Sequence, residues 1–435
     1  MIENRQFRLS RFDVIGAESI AGVIENWVGP DALRWYIAQV TDDEIVVEAT
    51  FYDGEMFEPA EGAESRGRFP GRSAAVSIVP TGVGCNLGGY AGDAAPATNL
   101  LAATVDYLIT NPNAVNASNF ISMDDNVLYT EGLCIDLLMK GAVDLHIPYA
   151  NRIGLIVEKT SPESLDVVFN IVNTVRAVHG VEVADVVVTE EAIGSHCVEN
   201  DSGAFVGTVD RPQVLFDACE RLLRRGVNAI AVTTNIQDLP PENYVKHFEG
   251  EYPNPLGGVE AIISHAIVNR FQVPSAHAPM LNCKDLDLLH SIVDARGAGE
   301  MASVSGLACT LIGLRRAPQI SLTRCFRCAD MVNIHNLLAV VCPAGCLGGI
   351  PAIYAHKHGI PIVAVAENST ILGVHGEKIG IGNVVEVRSY AEAAGVLLAL
   401  KRGISLESIR RPLPTLRHRF GESAQAERRH RVQFA

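Results

Sequence analysis

The chain has 435 residues, 48% apolar and 20% charged, with 50 acidic against 35 basic side chains and a formal charge of −15. That length supports two or three domains around a large core, and an acidic surface repels phosphate backbones, which excludes nucleic acid as a general partner. No window holds the roughly 18 uninterrupted apolar residues of a membrane span, and Met1 to Asp13 lacks the apolar centre of a secretory signal. A cytoplasmic protein with no membrane partner is expected.

In chain order, residues 1–72 read as a small N-terminal α+β subdomain and connector. Residues 33–41 and 44–52 flank Asp42-Asp43 as a hairpin, and 56–72, rich in Glu, Gly and Arg, follow as a mobile connector. The apolar hairpin is a candidate surface for a homo-oligomer. From residue 74, short β-branched runs alternate with amphipathic stretches, the pattern of βαβ units on mostly parallel sheets with flanking helices. Strands are expected at 75–79, 153–158, 183–189, 229–234, 337–342 and 360–365, and helices at 95–109, 162–179, 212–225, 258–271 and 391–401. Ser161-Pro162 and Asp210-Arg211-Pro212 place a capping residue at or just before a proline, a helix-start signal. The fold class is therefore α/β, with two Rossmann-like lobes at 73–280 and 281–405. A basic tail, 406–435, reads as solvated or packed on a partner.

Each lobe carries one glycine-rich loop after a strand. The first is Pro80-Thr81-Gly82-Val83-Gly84-Cys85-Asn86-Leu87-Gly88-Gly89, leading to Asp93; the second is Pro343-Ala344-Gly345-Cys346-Leu347-Gly348-Gly349. Glycine permits tight turns and close backbone approach, and a helix N-terminus after the loop attracts anions and lowers the pKa of a nearby thiol. The first loop lacks the Lys-Ser/Thr of a nucleotide P-loop and misses the third glycine of a dinucleotide fingerprint by one position. Both loops belong at the carboxyl ends of parallel strands, where open α/β sheets bind ligands.

Other candidates follow the same logic. Asn116 lies in a polar run after Asn111-Pro112, and Ser202-Gly203 lies in a glycine-rich turn that reads equally as an anion cradle or a plain hairpin. His277, in a loop between Pro274 and Pro279, and His265, in a helical stretch with Glu260 nearby, offer acid–base or metal chemistry. Glu367-Asn368-Ser369-Thr370 follows a strand and should lie near Cys346. Cys325, Cys328, Cys342 and Cys346 allow zinc or an iron–sulfur cluster as a minor possibility; otherwise no cofactor is expected.

The motifs at 80–93, 111–117 (Asn-Pro-Asn-Ala-Val-Asn-Ala), 202–208, 254–265 (Asn-Pro-Leu-Gly-Gly-Val-Glu-Ala-Ile-Ile-Ser-His), 276–279, 316–319 and 360–370 occur together and in order. Over about residues 74–390 the chain resembles the family catalogued as domain of unknown function 3326. The resemblance implies a shared fold and no particular activity. It also implies that a thiol at Cys85 and the Cys325–Cys328 pair are not hallmarks, which leaves Cys346 as the stronger cysteine.

The chemistry expected from these residues is a cofactor-free enzyme acting on a small carboxylated metabolite, foremost a hydrolase of an amide or lactam C–N bond. Cys346 would be the nucleophile, with the amides of Leu347 to Gly349 binding the oxyanion, each worth about 3 kcal/mol. His277 or Glu367 would move protons. Thr81, Gly82, Gly84, Cys85, Gly88, Gly89, Asp93, Asn116, Ser202, Gly203, Gly348, Gly349, Asn368, Ser369 and Thr370 would hold the substrate. Two alternatives remain: an isomerase or racemase using Cys85 and Cys346 as paired bases, and a non-catalytic metabolite-binding protein.

Overall fold

The computed structural model describes residues 1–15, 19–54, 72–90, 93–111, 123–237, 241–251, 253–280, 292–299, 306–322 and 330–416. Asn116, Cys325, Cys328, the connector at 56–71 and most of the basic tail lie outside the described residues.

The architecture is α/β. A six-stranded parallel sheet runs, in spatial order, Val384–Val387, Ile362–Val365, Leu337–Pro343, Ala74–Ser77, Tyr107–Thr110 and Val127–Tyr129. A second parallel sheet runs Ser275–Pro279, Ala229–Thr234, Ile153–Val157 and Val183–Val188. A third, mostly antiparallel sheet runs Ile236–Gln237, Ser195–Glu199, Phe205–Val209, Ile2–Ser10, Glu44–Tyr52 and Ala32–Val40. The expected hairpin is its outer pair. The run before it, without apolar periodicity, is also a strand, pairing residue for residue from Ile2↔Tyr52 to Ser10↔Glu44.

The two-residue period of a strand sends alternate side chains to opposite faces. Val76, Ile109, Val340 and Ile362 join one core cluster, whereas Ala75, Leu108, Val341 and Val363 join another. The first cluster fills the space toward the antiparallel sheet and the helices Gly132–Met139, Gly257–Phe271 and Ile350–Lys357. The second is covered by Pro162–His179, Gly306–Leu314 and Tyr390–Lys401. Burial on both faces explains why these strands read as continuous apolar runs. Each fully buried Val, Leu or Ile contributes roughly 1.5–3 kcal/mol.

Three expectations change. The helix expected over 95–109 ends at Ala102, and Tyr107–Thr110 is a strand of the first sheet; a short apolar run fits either element by period alone. His277 lies within the strand Ser275–Pro279 and not in a loop. A division at residue 280 cuts across the first sheet, because Leu337–Pro343, carrying the second glycine loop, pairs directly with Ala74–Ser77, carrying the first.

Two devices tie the layers together. Glu158, 1% exposed at the end of its strand, accepts backbone N–H bonds from Ile193, Gly194 and Asn235. The helix Gly257–Phe271 seats on the strand Phe205–Val209 at Gly258, where an added Cβ would stand 2.1 Å from the Phe205 carbonyl oxygen. Neither the helix nor the strand can yield locally. Gly258→Ala is therefore expected to cost about 3 kcal/mol, read from the midpoint of urea unfolding.

Candidate functional site

The two glycine loops meet because their strands are neighbours. Asn368 clamps the first loop: its Oδ1 accepts from the Leu87 amide at 2.9 Å, and its Nδ2 donates to the Leu87 carbonyl at 2.9 Å. Asn86 donates to the Ser369 hydroxyl at 2.7 Å, and the Ile371 amide donates to the Val83 carbonyl. Gly82 has φ +72° and lies so close to the Phe205 carbonyl that a Cβ there would stand at 2.5 Å. Gly348 serves a different contact: its carbonyl accepts from the Ile37 amide at 3.0 Å, docking the N-terminal sheet on the second loop.

Below this seam, a cavity of about 190 Å³ lies between the two loops, the antiparallel sheet and the helix Gly257–Phe271. Its walls are mainly apolar, with a few convergent polar groups, the general pattern of a small-molecule site. Two acid–imidazole pairs reach it. Glu131, at the N-cap of Gly132–Met139, accepts from the Cys134 amide through Oε1 at 2.6 Å and holds His265 Nδ1 through Oε2. His265 Nε2 takes no partner among the described residues. In the second pair, His277 Nδ1 lies 3.2 Å from Glu260 Oε2, and its Nε2 lies 2.9 Å from Thr234 Oγ1. His277 is thus tied at both nitrogens, and Glu260 is the more accessible member, 12% exposed against 1% for the His277 side chain.

Arg34 enters from the strand Ala32–Val40. Its Nε donates to the buried Asp136 at 2.6 Å, which balances its charge, while the side chain stays 30% exposed. Tyr36, two residues on and so on the same face, also lines the cavity. Burial first, and then Glu48, holds its phenol well above the ordinary range, while a hydrogen bond with Asn200 opposes this.

Of the residues expected from sequence, Thr81, His277, Cys346, Gly348 and Gly349 line this cavity. Gly82, Gly84, Cys85, Gly88, Gly89 and Asp93 do not; they shape the first loop. Ser202 and Gly203 sit in a hairpin turn, where Asn200 Oδ1 accepts from the Ser202 amide and hydroxyl and the Ala204 amide. Glu367 is exposed, and its carboxylate accepts from the Tyr390 amide at 3.0 Å at the start of Tyr390–Lys401, away from the cavity. Asn368 and Ser369 spend their side chains on the loop clamp. Thr370 does touch the expected nucleophile: its Oγ1 lies 3.2 Å from Cys346 Sγ.

Cys346 differs in one respect from expectation. It precedes the helix Ile350–Lys357, whose N-cap is Gly349, and the Leu347 amide assigned to an oxyanion donates to the Val374 carbonyl at 3.0 Å. Cys342 is fully buried, and burial pushes its thiol up. Among the described residues, no group of three or more His, Cys, Asp or Glu converges as metal ligands would. Arg34 and Tyr36 are the functional candidates that sequence reasoning missed. Arg34 carries a signal, a charged residue inside an apolar strand.

Asp93 supplies a pH effect. Burial pushes its carboxyl up to about 6, opposed by the Gly88 amide, which donates to Oδ1 at 2.8 Å. A carboxyl raised in the fold favours the folded state below its unfolded pKa of about 4, and that contribution is lost as pH rises through about 6. Asp93→Asn keeps an acceptor for Gly88 and removes the cost of ionisation. It is expected to stabilise the protein by about 2 kcal/mol at pH 7.5 and by nothing at pH 3.5, measured as the difference between urea unfolding curves.

Comparison with known proteins places this geometry in a family. A model described as protein of unknown function (DUF3326) matches residues 74–410, beyond the end near 390 read from the motifs. A protein of Synechococcus sp. named as an uncharacterized lipoprotein is 37% identical over 338 residues, 77% of this chain and 92% of that protein. No solved structure matches the chain. That relative is named a lipoprotein, which overturns the cytoplasmic expectation, and the expected hydrolase finds no support in either match. No helix among the described residues is long and apolar enough to cross a membrane. The family match takes in both acid–imidazole pairs and both glycine loops, and leaves Arg34 and Tyr36 outside it. The chain belongs to the DUF3326 family of proteins of unknown function.

Proposed function

We propose that the cavity is the active site of an enzyme that moves a proton on a small metabolite, an isomerase whose bases are His265 and Glu260 in place of the two thiols. The observation that supports this is reciprocal backing. An imidazole backed by a carboxylate and a carboxylate backed by an imidazole both line one cavity from a single helix. His265 removes a proton from carbon through Nε2, and Glu131 stabilises the imidazolium that forms. Glu260, backed by His277 and reaching the cavity, acts as the acid: its carboxyl gives a proton to another carbon of the substrate and becomes carboxylate. Arg34, already balanced by Asp136, offers its remaining N–H groups to a carboxylate or carbonyl oxygen on which negative charge develops. Cys85, away from the cavity lining, has no place as a base on the opposite face of the substrate.

The test is exchange in heavy water. Purified protein is incubated with a panel of small carboxylates and carbonyl compounds, and proton NMR follows the loss of C–H signals. Exchange at one carbon of one compound class supports the reading. Tight binding without exchange or rearrangement supports the second reading, a metabolite-binding protein, which the relative's naming as a lipoprotein favours because anchoring suits ligand capture at a membrane surface.

A further inference from the structure

The seam between the glycine loops brings two thiols together. Cys85, 0% exposed, and Cys346, partly exposed, pack in one small apolar cluster with Val83, Ala204 and Leu372. Cys85 Sγ lies 3.7 Å from the Pro80 carbonyl oxygen, and Cys346 Sγ lies 3.2 Å from the Thr370 hydroxyl. The first loop is held against the segment 368–371 by the Leu87–Asn368, Asn86–Ser369 and Val83–Ile371 bonds. Only Cys346 of the two lines the cavity. No part of the proton chemistry above uses the pair.

We infer that Cys85 and Cys346 form a redox-active dithiol that reduces a small disulfide reaching it through the cavity. The Cys346 thiolate attacks one sulfur of the disulfide RSSR, forming Cys346–S–S–R and releasing RS⁻. Cys85 then loses its proton and attacks Cys346 Sγ, forming the Cys85–Cys346 bond and releasing the second RS⁻. Both thiol protons end on the two RSH products, so the disulfide gains two electrons and the protein loses two.

Exposure sets the order of attack, because the cavity reaches only Cys346. Electrostatics agrees. The hydrogen bond to Cys346, then burial, and then the charge of Cys346 hold the Cys85 thiol well above the ordinary value. The contributions from Cys346 vanish once that sulfur is in a mixed disulfide, which eases ionisation of Cys85 although burial still opposes it. Closing the bond withdraws the Cys346 thiol from the cavity wall, so oxidation also changes the cavity.

The full chain is treated with hydroxyethyl disulfide, quenched with acid, digested without reductant and mapped by mass spectrometry. Wild type is expected to lose two hydrogen atoms in mass, with the peptides containing residues 85 and 346 joined. Cys85→Ala is expected to accumulate the mercaptoethanol adduct at Cys346 with no joined peptide, and Cys346→Ser to leave Cys85 free. Both replacements are small, and far-UV circular dichroism confirms that the variants are folded. A lasting adduct at Cys346 in wild type, a bond from Cys346 to Cys342, or free thiols at both 85 and 346 overturns the inference.

Discussion

His265→Asn is expected to lower the rate of substrate C–H exchange by about 10²–10⁴-fold, the usual contribution of a positioned general base. Asparagine retains a side-chain N–H to meet Glu131, so the buried carboxylate keeps a partner and the fold should hold. Glu131 already accepts from the Cys134 amide, which anchors it whatever stands at 265. The expected signature is therefore specific: exchange lost, ligand affinity within a few-fold of wild type, and an unchanged melting temperature. Initial exchange rates by NMR, with binding by calorimetry on the same preparation, check it. A variant that exchanges as fast as wild type removes His265 from the chemistry.

Glu158→Ala is expected to give the largest loss of stability. The carboxylate takes three backbone N–H donors, from Ile193 and Gly194 before the hairpin and from Asn235 after the strand Ala229–Thr234. Each donor left buried and unpaired costs about 1–3 kcal/mol, so the total is on the order of 4 kcal/mol, a large share of a typical domain's ~5–15 kcal/mol. Urea unfolding measures it. Glu158→Gln keeps an acceptor on one side and turns an NH₂ toward another donor, so it should fall between wild type and alanine. A change below about 1 kcal/mol for alanine would mean that water reaches these amides.

Six of the ten strands described in the two parallel sheets, the hairpin and the starts of the five expected helices were legible in the sequence because they rest on local signals: apolar runs, capping residues and prolines. Ser161 does accept from the Ser164 amide with Pro162 at the first helical position. What failed was where local signals are ambiguous or absent. Residues 103–110 continue an apolar pattern after a helix, and only pairing with Ala74–Ser77 makes the second half a strand. Ile2–Ser10 shows no clear alternation because its burial is uneven, with only Ile2 and Leu9 buried.

The site was half legible. Cys346, His277 and Thr81 were found from loop chemistry and position, and they do meet. Glu260 and His265 were noticed as residue types, but their partners come from far along the chain. Glu131 lies 134 positions from His265, and Arg34 lies 102 from Asp136. No spacing rule connects them. Of the run Glu367 to Thr370, expected beside the Cys346 loop, Thr370 reaches Cys346, whereas Glu367 and Asn368 spend their polar atoms on the Tyr390 amide and on Leu87 of the first loop. A polar cluster at a strand end serves a ligand only after the backbone's own donors and acceptors are satisfied.

The most direct measurement is a crystal structure of the His265→Asn protein with the compound that exchanges on wild type. The reacting carbon is expected in the cavity, within about 3.5 Å of the residue 265 side chain or of Glu260, with a substrate oxygen against Arg34. A ligand bound instead at the first glycine loop beside Asp93, or at the exposed Glu367, would contradict the assignment of this cavity as the active site.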